Sequence, residues 1–113
     1  MFEQYVRDMV VFGVNSVELI PPSSDDDDDS QHFPLPKMEM MVEMSRILAA
    51  YGLDVWIWFP VLEGDYKDPK WAVKAAAEWD EVFRKLPRID SVFVPGGDPG
   101  DMQPKVLMAL LET

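Results

Sequence analysis

Residues 45–60 read SRILAAYGLDVWIWFP. The stretch holds three signals in immediate succession. Ser45 to Tyr51 ends a helical pattern, and Gly52 is the residue type that closes a helix in the left-handed conformation. After Leu53 and Asp54 begins Val55 to Phe59, an apolar run with no polar interruption. Pro60 stops it. A short run of this kind suits a strand buried on both faces of a parallel sheet. A helix that turns into such a strand within two residues belongs to an alternating α/β chain.

Working outward, the alternation continues in both directions. A first helix is expected from about Phe2 to Phe12, closed by Gly13, with a strand from about Ser16 to Ile20 ended by Pro21-Pro22. A second helix opens near Pro36 and places Met38, Met41, Val42, Ser45, Leu48 and Ala49 on one face. The third helix has Asp68 as N-cap and Pro69 at its first position and runs to about Leu86. A third strand covers Ser91 to Val94, and a last helix opens at Pro104. Trp71 and Trp79 on the third helix are expected in the core.

The strand entries resemble one another. Val14-Asn15, Leu53-Asp54 and Ile89-Asp90 each lead to a strand that ends at proline: Pro21, Pro60 and Pro95. Their spacings, 39 and 36 residues, are those of a βα unit with parallel strands and right-handed crossovers. The fold class is therefore α/β: about three parallel βα units preceded by one helix. Helix-to-strand connections are tight, whereas strand-to-helix connections are long and polar. In this architecture the long connections all lie at the C-terminal edge of the sheet, where ligands bind. The short-loop edge serves stability.

A complete eightfold barrel takes about 200 residues or more, and this chain has 113. It starts directly with a helix and ends within one. The expectation is a single partial barrel domain over residues 1–113, a fragment of a longer chain holding about three of eight units; an independent three-stranded α/β sandwich is the alternative. A severed barrel exposes the edges of its outer strands, so self-association, or docking of the remaining barrel, is expected there.

Composition narrows the function. With 21 acidic and 10 basic residues the net charge is −11, and five of the acids form one run, Asp25 to Asp29. Such a balance argues against nucleic acid and anionic membrane surfaces as partners. No apolar run reaches the ~18 residues of a membrane helix, and MFEQYVRDM lacks the pattern of a signal peptide. There is no cysteine and a single histidine, His32, so thiolate sites, a cysteine nucleophile and histidine ligand clusters are excluded. No cofactor is expected.

Chemistry is sought in the three long connections. The first, PPSSDDDDDSQHFPLP, offers His32 and the Asp25–Asp29 run. Five consecutive carboxylates are either a solvated, self-repelling loop or oxygen ligands for a cation; the run lacks the alternate spacing and the glycine of a calcium loop. The second connection, VLEGDYKDP, carries Glu63, Asp65 and Tyr66 directly after Trp56 and Trp58. Aromatic faces beside carboxylates suit sugar rings, while alternate tryptophans in a strand also suit packing between strand and helix. The third, PGGDPGDMQP, holds Asp98 and Asp101 in a backbone of three glycines and three prolines. A rigid loop can present a carboxylate as acid or base, or it can be a tight turn with Asp98 as its cap. Neither a phosphate loop nor a dinucleotide fingerprint is present. Glu18, a charge within the first strand, must face solvent or a polar interior, or be paired.

Taken together, YVRDMVVFGVNSVEL (5–19), SRILAAYGLDVWIWF (45–59), the helix opened by Asp68-Pro69, and WDEVFRKLPRIDSVFV (79–94) with its Gly/Pro-rich continuation resemble the catalytic barrel of the xylan α-glucuronidases. The resemblance covers nearly the whole chain in order and spacing, with moderate identity. It implies a glycoside-hydrolase-like barrel and acid-assisted cleavage of glycosidic bonds through an oxocarbenium-like transition state. In that family the loop after this strand holds a glutamate as general acid. Here the segment VPGGDPGDMQP has none, and Asp98 is the nearest carboxylate. The resemblance therefore implies Asp98 as catalytic acid, Asp101 as a residue shaping its loop, and Glu18, His32, Trp58, Glu63, Asp65 and Tyr66 as lining of a carbohydrate site. The partner base of the family comes from later strands, so the 113-residue segment by itself is expected to be inactive. Only Lys37, Lys67 and Lys70 lie near the loops, a poor set for a glucuronate carboxylate. The alternatives are a non-catalytic α/β module binding carbohydrate or protein, and a cation-binding module through Asp25–Asp29.

Overall fold

The computed structural model describes residues 1–19, 35–59, 68–95 and 103–112. Seven elements alternate along them: α1 (Phe2–Val11), β1 (Ser16–Leu19), α2 (Lys37–Ala50), β2 (Asp54–Trp58), α3 (Pro69–Lys85), β3 (Ser91–Phe93) and α4 (Pro104–Leu111). The expected order holds, with each boundary moved by a residue or so.

The two glycine junctions are built alike. Gly13 (φ +87) and Gly52 (φ +74) are the left-handed residues that end α1 and α2. The Gly13 N–H donates to the Val10 carbonyl at 3.0 Å and the Val14 N–H to Met9 at 3.0 Å. The same pair recurs with Gly52 to Ala49 and Leu53 to Leu48, again at 3.0 Å. This is the Schellman pattern, in which orphan carbonyls of the last turn are satisfied by the reversing chain. Its usual apolar contact is supplied at the second junction by Leu53 and Leu48, both buried. The chain then enters the strand with no loop between. α3 starts differently: the Asp68 carboxylate accepts from the Lys70 N–H at 2.9 Å, with Pro69 following at the first helical position. It ends at Leu86, whose extended backbone (ψ 128) is what the following proline demands.

The strands form one parallel sheet in the order β1-β2-β3. Ser16 pairs with Asp54 and Leu19 with Ile57; Trp56 pairs with Ser91 and Trp58 with Phe93. Side chains alternate between the two faces. Leu19, Val55, Ile57 and Phe59 enter one core cluster with Val6 of α1, Met41 and Leu48 of α2, Val82 of α3, and Leu53 and Leu86 at its margins. Phe59 meets Trp79 of α3 at 4.1 Å between ring centroids. Thus α1, α2 and α3 share a single core built on one face of the sheet. Trp71 is half-buried. α4 buries none of its side chains.

One expectation is corrected here. β2 is not covered on both faces among the described residues. Val55 and Ile57 are fully buried, but Asp54 is exposed, Trp56 is 43% exposed and Trp58 half-buried. An unbroken apolar sequence hid an alternation, because the outward residues are themselves aromatic. Trp56 therefore does not pack between strand and helix.

Ser45 is the one buried polar residue of the described core. Its hydroxyl donates to the Arg88 carbonyl at 2.8 Å and accepts from the Arg88 N–H at 3.3 Å. It thereby ties α2 to the approach to β3 across 43 residues of sequence. Ser45→Ala should lower the unfolding free energy by about 1–3 kcal/mol, the cost of leaving the partner backbone unpaired. Leu48→Ala should cost about 2–5 kcal/mol by opening a cavity. Chemical denaturation of the three proteins checks both, and a neutral Leu48→Ala would contradict the core described.

Candidate functional site

The two edges of the sheet differ in chemistry. At the N-terminal edge the short connections bring Asn15, Asp54, Arg88 and Asp90 together. The Asp54 N–H donates to the Asn15 carbonyl at 2.9 Å, and the Asp90 N–H to the Val55 carbonyl at 2.8 Å. The Asp90 carboxylate accepts from the Val55 N–H at 2.8 Å and from Arg88 Nε at 2.7 Å. Arg88 Nη2 reaches the Asp54 carboxylate at 2.5 Å. One guanidinium thus bridges the entrances of β2 and β3. Arg88, and after it the Val55 N–H, hold the Asp90 carboxyl below its ordinary value. Every member has a structural partner, so this cluster is a clamp, and the expectation that the short-loop edge serves stability is consistent with it.

The other face of the sheet, turned away from the core shared by α1, α2 and α3, is where candidate residues gather. The register places Glu18 beside Trp56, with Ser91 on the far side of Trp56; one step toward the C-terminal edge, Trp58 stands beside Phe93. Glu18 is exposed and makes no hydrogen bond or ion pair to any described residue. Of the fates open to a charge in β1, solvent exposure is the one adopted. Phe93 is 53% exposed. The result is a carboxylate and three aromatic rings on the face opposite the core shared by α1, α2 and α3. Such a surface can stack apolar ring faces and pair with a donor or a cation; by itself it supplies no acid-base pair.

Of the residues singled out in the sequence, Glu18 and Trp58 lie on this surface. Asp98, Asp101, His32, Glu63, Asp65, Tyr66 and the Asp25–Asp29 run lie outside the described residues. Trp56 and Phe93 join the surface without having been assigned to it. The available signal was the spacing: Glu18, Trp56, Trp58 and Phe93 belong together once the register is known, and the sequence does not state the register. Among the described residues no group of three or more acidic or histidine side chains is arranged to hold a metal ion, and no helix is long and apolar enough to cross a membrane.

Comparison with known proteins finds no matching family model, no matching curated protein and no matching solved structure.

The clamp has a measurable consequence. A carboxyl held below its unfolded value stabilises the fold above that value, ~3.9 for aspartate, and the contribution disappears as pH falls through the folded value. Wild-type protein should therefore lose melting temperature more steeply than Asp90→Asn between about pH 5 and pH 2. Parallel slopes would show that Asp90 contributes nothing through its charge.

Proposed function

We propose that these units are part of a glycoside-hydrolase-like (β/α) barrel acting on polysaccharide or oligosaccharide. The observation that carries the reading is the stagger of the strands. By sequence, Asn15 is equivalent to Asp54 and Asp54 to Asp90. In the sheet, however, Ser16 pairs with Asp54, and Trp56–Ser91 pairing sets Val55 opposite Asp90. Each strand is displaced by one residue relative to its predecessor, in the same sense. Summed over eight strands, that displacement equals the shear of eight that closes a (β/α)8 barrel. Two further features support the reading. Among the described residues the strand order β1-β2-β3 does not reverse, as it would at a switch point of the doubly wound kind, and α1, α2 and α3 share one side of the sheet, as the outer helices of a barrel would.

On this reading the connections after β1, β2 and β3 belong to the substrate edge. Asp98 is the general acid that protonates the departing glycosidic oxygen, and Asp101 shapes its loop. Glu18, His32, Trp58, Glu63, Asp65 and Tyr66 line the sugar path. A second carboxylate from a later strand completes the pair. The resemblance in the sequence points the same way, with aspartate where the xylan α-glucuronidases carry glutamate.

In the longer barrel that this reading requires, Asp98→Asn should lower kcat for reducing-sugar release by about 100-fold or more with little change in KM. The 113-residue chain alone should show no turnover. Wild-type activity in Asp98→Asn would remove Asp98 as the acid. The outer edges of β1 and β3 have no strand partner among the described residues. Size-exclusion chromatography with light scattering should accordingly find the 113-residue chain self-associated, through edge pairing. A monodisperse monomer with one cooperative melt would instead favour an independent α/β module that binds carbohydrate or protein.

A further inference from the structure

The two halves of the sheet are held by different means. Of the ten buried apolar side chains among the described residues, eight lie within residues 1–59, and the third unit adds only Val82 and Leu86. The first two units therefore keep most of the core without it. Their glycine junctions are closed by backbone hydrogen bonds alone and carry no charge.

The pair formed by α3 and β3 is attached in another way. Its apolar hold is Val82, Leu86 and the Trp79 ring against Phe59. Beyond the strand ladder, its polar attachments gather at one place, the entrance to β3. Arg88 reaches both Asp54 and Asp90, and the Asp90 carboxylate accepts from the Val55 N–H. The Arg88 backbone is held by Ser45 of α2. The ion pairs along α3, Arg84 with Asp80 and Lys85 with Glu81, stay within the helix. Val55 is fully buried, so its N–H finds no water when the carboxylate withdraws. Among the described residues the charged groups that face the Asp90 carboxylate are Arg88 and, across the guanidinium, Asp54. From α2 the clamp receives the Ser45 hydroxyl, which does not titrate.

We propose that the Arg88–Asp90–Asp54 clamp is an acid-released latch: protonation of Asp90 lets α3 and β3 open together while α1, β1, α2 and β2 stay folded. The inference goes beyond the hydrolase reading and does not depend on it. Protonation takes from Arg88 one of its two anionic partners and weakens the acceptor of the Val55 N–H. The Asp90 carboxyl is held below its ordinary value. The latch is therefore closed at neutral pH and released as pH falls below ~3.9 and through the folded value. Opening frees the edge of β2 that faces β3 and uncovers Phe59, a local opening below the global unfolding transition.

The test is hydrogen–deuterium exchange of the 113-residue chain, read peptide by peptide by mass spectrometry. At pH 7, Arg88→Leu and Asp90→Ala should each raise exchange in α3 and β3 about tenfold, with α1, β1 and α2 at wild-type rates. Wild-type protein taken from pH 6 to pH 3, after correction for the intrinsic chemical rate, should show the same selective loss. In Asp90→Asn the loss should already be present at pH 6 and should grow little further with acid. The acid series of the wild type keeps the test open should a variant fail to fold. Equal loss of protection in all elements would show one cooperative unit and overturn the proposal. Unchanged exchange in α3 and β3, or an acid response as steep in Asp90→Asn as in the wild type, overturns it too. The hydrolase reading is decided separately, by the turnover of the longer barrel.

Discussion

The structure depends on the glycine junction that turns a helix directly into a strand. At Gly13 and again at Gly52 the positive φ lets the chain reverse while its own N–H groups satisfy the carbonyls it leaves behind. No Cβ added at either glycine would meet a neighbouring atom within 4 Å, so the requirement is conformational and not one of space. A tight junction leaves little freedom in where the next strand begins relative to the helix packed on it. Two identical junctions therefore yield two strands entered in the same way, and the parallel pairing of β1 with β2 follows.

The third unit reaches the same geometry by other means. Its helix-to-strand junction has no glycine; Pro87 follows α3, and an ionic clamp takes over the alignment of β3. Asp90 offers both its N–H and its carboxylate to Val55, while Arg88 bridges Asp90 and Asp54. Ser45 holds the Arg88 backbone from α2. Backbone conformation aligns the first pair of strands, and side-chain hydrogen bonding aligns the second. Both devices sit at the N-terminal edge, which leaves the C-terminal edge free to carry long connections. That separation of stability from variable loops is what allows one scaffold to host different chemistries.

Much of this was legible in advance. The seven elements, their order, the Asp68 cap and the apolar face of α2 are local features, visible because capping residues and 3.6-residue periodicity act within a few positions. Trp56 and Phe93 were not legible as partners of Glu18. In β2 the inward residues Val55, Ile57 and Phe59 and the outward Trp56 and Trp58 are all apolar, so alternation carried no signal. Arg88 was equally silent, since its role is to bridge two aspartates 34 and 2 positions away.

What the sequence by itself determined is the inventory: an α/β chain of three βα units with short and long connections segregated, no cysteine chemistry, and a strongly acidic balance. These follow from local conformational preference and from charge, which need no knowledge of distant neighbours. Only the tertiary structure decided the one-residue stagger of the strands, the choice of a single buried face, and the meeting of Glu18 with Trp56. Those depend on hydrogen bonds and packing between residues about 35 to 40 positions apart, and a shift of one residue in register would have turned the same tryptophans inward.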